Sequence, residues 1–142
     1  MGMSFFMIAL SNLIMVIPEL ILMPMFDKKF YHLGFKKQVT LAMLISTFQM
    51  FVFIYVEDPI TLVLSTSLHG ISMAFLLPGY ATYLKRNIPE NILSSAFLTS
   101  TTIISLCTFL ISLLIITPIY DFFGVRAVFI FLTFVMMFAL AL

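Results

Sequence analysis

Five stretches of this chain run almost without a charged side chain, and each comes close to the roughly 20 apolar residues that a helix needs to cross the hydrocarbon core of a bilayer. They cover about residues 5–26, 38–56, 60–84, 92–119 and 125–142. That pattern predicts an all-α membrane protein, a polytopic bundle of about five transmembrane helices forming a single domain over residues 1–142. Short polar connectors separate the runs: Asp27 to Lys37, Glu57 to Pro59, Lys85 to Asn91 and Tyr120 to Gly124.

Composition points the same way. Apolar residues make up 63% of the chain and charged residues 9%, whereas a soluble domain carries about a quarter charged and just under half apolar. The formal charge of +1 leaves no basic footprint for nucleic acid. A lone cysteine, Cys107, lies in an apolar run and reads as a small hydrophobe, so no disulfide or thiolate metal site is expected within one chain. The opening run has no basic residue and is too long for a secretory signal, so it reads as a retained span.

The basic residues set an orientation. Lys28, Lys29, Lys36 and Lys37 fall in the first connector, and Lys85 and Arg86 in the third, while the other two regions hold only Arg126. Cytoplasmic connectors carry the excess of Lys and Arg, which predicts an outside N-terminus and a cytoplasmic C-terminus. Both ends of the chain fall almost within spans, and the expectation is a piece of a longer protein.

Ionisable groups at membrane depth are costly and by default mark a functional site. Glu19 lies about 21 Å into the first run, and His69 about 13 Å into the third, at 1.5 Å per helical residue. Pro18 and Pro24 bracket Glu19 and should free backbone carbonyls near it. Glu19 therefore lines a polar cavity or hydrogen-bonds to a neighbouring helix. His69 shares a helical face with Ser65, Ser72 and Leu76, beside a stripe of small residues, Ser67, Gly70, Ala74, Pro78 and Ala81, that suits close helix packing in lipid. Gln49, deep in the second run, would suit a hydroxyl-rich ligand or an interhelical bond. In the fourth run Thr101, Ser105, Thr108 and Ser112 recur at helical spacing, which favours packing or bonds to their own backbone. No nucleophile with its base and no metal-binding pair is present in sequence, so an enzyme is not expected, nor is a cofactor.

Read together, these features resemble a known family. In the first connector, Asp27, Lys28, Lys29, Gly34, Lys36 and Lys37 follow the order of the cytoplasmic loop signature of the major facilitator superfamily, with a longer stretch between Lys29 and Gly34. The Leu68-His69-Gly70 element and the Pro89 region resemble sugar permease and sugar efflux members. Asp121, Gly124, Arg126 and Phe129 resemble the turn joining the last two helices. The resemblance implies helices eight to twelve of a secondary transporter of the bacterial cell membrane, moving a small polar solute such as a sugar by alternating access, with protons as a coupling ion and the remaining N-terminal helices as partner. It implies Glu19, Gln49, His69 and Ser72 as solute- or proton-handling residues, and Asp27 with its lysines as a latch. Two departures stand out: Gln49 replaces an arginine of the permease group, and Ser72 replaces a carboxylate. A packing subunit, an inactive fragment and an efflux protein for other small molecules are the alternatives.

Overall fold

The computed structural model describes residues 5–25 and 33–141, so Asp27 and Lys28, with Lys29 and His32, lie outside the described residues. Helices account for nearly all of it: α1 (Phe5–Met25), α2 (Phe35–Tyr55), α3 (Pro59–Asn87), a single 3₁₀ turn at Glu90–Ile92, α4 (Leu93–Ile111), a π turn at Ser112–Ile116 and α5 (Thr117–Ala141). No strand occurs among the described residues. Four helical stretches are long and apolar enough to cross a membrane, the last of them the 52-residue run Glu90–Ala141. That last run covers both the fourth and the fifth expected spans: the connector expected at Tyr120 to Gly124 is helical as far as Phe123 and breaks at Gly124, where two helices meet across a kink.

The bend that divides them is at Gly124, whose φ of 80° and ψ of 175° define a region open to glycine and strained for any side chain. Upstream, Pro118 has no N–H to offer and crowds the preceding turn. The helix widens there into the π turn, and the Thr117 hydroxyl donates to the Ser112 carbonyl at 3.0 Å. By contrast Pro18 and Pro24 lie inside α1 without ending it, although each still lacks the N–H that a helix interior would use.

Two boundaries follow from local chemistry. Asp58 caps α3, its carboxylate accepting from the Thr61 backbone N–H and the Thr61 hydroxyl, each at 2.8 Å, with Pro59 at the first helical position. Ile88 is extended at φ −125° and ψ 135°, as a residue before proline prefers. The Thr61 N–H, and then its hydroxyl, hold the Asp58 carboxyl below its ordinary value of 3.8. A depressed carboxylate contributes stability that is complete above the unfolded value and lost as pH falls through the folded one. Amide exchange at the start of α3, referred to an Asp58→Asn variant, should therefore loosen only below pH 3.8; an equal response in both proteins would refute the cap.

Helix α3 is the centre of the packing, touching α1, α2 and the start of α4, while α2 also packs on α5. The Thr66 hydroxyl donates to the Ser11 carbonyl at 3.0 Å, and Met15 presses its carbonyl on Gly70, so α1 and α3 run parallel. Gln38 lies against Gly79 and Ser46 against Ser72, so α2 and α3 are antiparallel. Phe53 meets Phe129 with ring centroids 5.1 Å apart, and Arg126 meets Glu57 one turn further on, so the limb after Gly124 runs antiparallel to α2. Directions therefore alternate as five crossings require, with the fourth and fifth runs meeting at the break at Gly124.

The interior is not greasy. Its buried apolar residues are Ala42, Val63, Ala74, Leu84 and Val128, and its buried polar residues are Gln38, Thr47, Gln49, Ser65, Ser72 and Thr133. Phenylalanines lie outside: Phe5, Phe122 and Phe123 are 92, 82 and 76% exposed. Water would drive such a surface inward at about 25 cal/mol per Å², whereas in lipid, helices associate through small and polar contacts. The arrangement fits an apolar solvent.

Candidate functional site

The charges sort to the two ends of the bundle. The rings of Phe35 and Tyr83 stack 4.7 Å apart, which brings Lys36 and Lys37, at the start of α2, beside Lys85 and Arg86, at the end of α3. Lys36 and Lys37 sit in the first turn of α2, where the helix dipole disfavours a cation, so helix stability does not explain them. Glu90 belongs to the same end, and Glu57, Asp58, Asp121 and Arg126 belong to the other. The Arg126–Glu57 pair, 3.2 Å apart, is 59% and 78% exposed, a geometry worth little in water; Arg126 also donates from Nε to the Ile54 carbonyl at 3.0 Å.

Among the described residues, Glu19 is then the one carboxylate or cation between the ends. Its neighbours follow from the contact register. Ser11 lies level with Thr66 and Met15 with Gly70, so Glu19 lies level with Ala74 and about 7.5 Å along the axis from His69. Glu19 sits clockwise of the α1 residues that face α3, and His69 sits counter-clockwise of the α3 residues that face α1, at about 100° per residue. In parallel helices those two flanks are the same side of the pair. Both residues are half-buried, and neither makes a hydrogen bond or ion pair among the described residues.

That side continues along α3 through Met73 and Leu76 to Tyr80, whose hydroxyl donates to the Ser100 hydroxyl of α4. One and two turns from His69 in the other direction, Thr66 and Leu62 help to line a groove of about 240 Å³ that also touches Ser11, Phe53, Val125 and Phe129. The acid and the imidazole thus flank a face on which α1, α3, α4 and α5 converge.

Gln49 and Ser72 are elsewhere. Both are buried, 3% and 5% exposed, in the seam between α2 and α3. The Ser72 hydroxyl donates to the Ala42 carbonyl at 2.9 Å and shares a hydrogen bond with the Ser46 hydroxyl at 2.8 Å. Ser65 turns to its own Leu62 carbonyl. The face of α3 bearing Ser65, Ser72 and His69, expected to act as one, is divided: the serines go to helix contact and His69 to the open side. Interhelical hydroxyl bonds in membranes average about 0.6 kcal/mol, with a maximum near 1.7. Ser72→Ala, which removes two, should lower stability in detergent by about 1 kcal/mol by that scale; a neutral result in urea or thermal unfolding would show that the seam does not depend on them. The Gln49 carbonyl oxygen Oε1 has no hydrogen-bond partner among the described residues.

The small-residue stripe is used in part. Gly70 and Ala74 are buried, with Gly70 on α1, whereas Ala81 is exposed. Gly34, the glycine of the loop signature, has φ −56° and open space around it, so neither conformation nor crowding demands glycine there. Lys36 and Lys37 are exposed. In α4, Thr101 and Thr108 donate to the carbonyls of Phe97 and Ile104, and every residue from Thr102 to Ile115 is exposed, so beyond Thr101 that stripe meets no helix among the described residues. Cys107 is a free, exposed thiol. Sequence reasoning overlooked Gln38 and Thr47; the spacing of Gln38, Ala42, Ser46 and Gln49 by four, four and three was the signal for a polar helix seam.

No group of three His, Cys, Asp or Glu residues that could hold a metal ion occurs among the described residues. Fold and site together define an all-helical protein whose helices have the length and hydropathy of membrane spans. No protein-family model, curated protein or solved structure matches the chain.

Proposed function

We propose that the chain is part of a secondary active transporter that moves a small polar solute, a sugar being the leading candidate, by alternating access and with proton coupling. The observation that carries this reading is the placement of Glu19 and His69 on one side of α1 and α3, between the charged ends and without a hydrogen-bond or ion-pair partner among the described residues. An intramembrane acid and imidazole that no described residue pairs with are suited to bind a proton or a solute hydroxyl in turn, because low polarity disfavours their charged forms until a polar partner arrives. Gln49 and Ser72 support the helix seam under this site and are not its lining.

The proposal includes a membrane-embedded bundle with further helices of the same transporter packed on α4, whose exposed circumference leaves room for them. Asp27 with its lysines would latch helix ends in one access state. The second reading, a packing subunit without transport of its own, draws on the same exposed α4. Proteoliposomes containing the full-length transporter separate the two: uptake or counterflow of any member of a panel of mono- and disaccharides supports the first, and none across the panel, with the protein folded, favours the second.

A further inference from the structure

We propose that the cleft between the end of α3 and the start of α4 is a binding site for one anionic phospholipid, with its headgroup at Lys85 and its acyl chain along Leu93, Phe97 and Leu98. The cleft has a volume of about 530 Å³, and its walls are carbon apart from Lys85, Thr82 and Ser94. It opens at the end of the bundle that carries Lys36, Lys37, Lys85 and Arg86 and, among the described residues, one carboxylate, Glu90. Lys36, Lys37 and Lys85 have no ion-pair partner among the described residues.

A cation at the rim of an apolar channel matches a lipid, whose phosphate and chains present the same sequence of charge and hydrocarbon. Basic pockets between spans are suited to anionic headgroups for this reason. Lys85 is the one of the four cations that lines the cleft, so it separates a bound lipid from a diffuse attraction shared by all four. The site is independent of the transport reading and requires only that the helices lie in a membrane.

The chain has no Trp, so Phe97→Trp places a unique fluorophore in the cleft, and Phe134→Trp, on the exposed side of α5, serves as the reference. The full chain is reconstituted in phosphatidylcholine vesicles containing brominated phosphatidylglycerol. Quenching at position 97 should reach half-maximum at a phosphatidylglycerol fraction about five-fold lower than at position 134, a difference that one lysine at a membrane surface can supply. Lys85→Gln should abolish that difference and Lys37→Gln should preserve it. Equal quenching by brominated phosphatidylcholine at position 97, or equal losses in the two lysine variants, would overturn the site. Leu98→Trp reads out the same cleft if Phe97→Trp does not fold.

Discussion

Replacing Gly70 with leucine should separate α1 from α3. A Cβ at position 70 would lie 1.9 Å from the Met15 carbonyl oxygen and 2.9 Å from its carbon. Those atoms are backbone, so no side-chain rotation relieves the clash and α1 itself must move. Overpacking of a well-fitted contact costs about 1–3 kcal/mol; a clash against main chain belongs at the top of that range, and the hydrogen bond from Thr66 to the Ser11 carbonyl would be lost with it. A cysteine pair at Ser11 and Thr66 should crosslink readily with Gly70 present and at least ten-fold more slowly in Gly70→Leu, about 1.4 kcal/mol in free energy at the ten-fold mark. Unchanged crosslinking would mean that α1 does not dock on α3 as described. Gly79→Ala should be milder, because the atom it meets is the end of the Gln38 side chain.

Glu19→Gln should abolish solute accumulation driven by a pH gradient while leaving counterflow in place. With one proton carried per solute, a gradient of one pH unit can sustain about a ten-fold accumulation, since one unit corresponds to 1.36 kcal/mol. A glutamine keeps the shape and the hydrogen-bonding oxygen but cannot exchange a proton, so accumulation should fall to unity. Exchange of solute across the membrane, which needs no net proton movement, should continue. Persistence of the ten-fold gradient would remove Glu19 from the coupling role, and loss of counterflow together with accumulation would reassign it to solute binding. His69→Gln provides the companion measurement from α3.

Much of the architecture could be read directly from the chain. The long uncharged runs and the clustering of lysines depend only on hydropathy and charge, and the helices and the basic end of the bundle follow them. Three features were hidden for physical reasons. The helical path through Tyr120 to Phe123, broken at one glycine dihedral, was hidden because a connector containing an Asp reads as a loop when depth in the bundle is unknown. The continuity of α1 through Pro18 depends on whether neighbours tolerate one missing N–H, which spacing alone does not express. Ser72 and His69 are three residues apart and share a face in projection, yet the angle between them is enough to send one into the α2 seam and the other to the open side. Only the positions of the neighbouring helices decide that. The pairing of Glu19 with His69 on one side likewise required the register between α1 and α3.

An interior in which Ser, Thr, Gln, Gly and Ala predominate, with Val63, Leu84 and Val128, inside a coat of Phe, Leu and Ile changes how this chain can diverge over time. Outward positions can exchange one hydrocarbon for another at little cost, so most of the visible letters are free to drift. Permanence belongs to the short, plain residues where helices touch. Relatives of this chain would best be recognised by a sparse skeleton of glycines, serines and glutamines, and searches weighted toward the abundant large hydrophobes would pass over them.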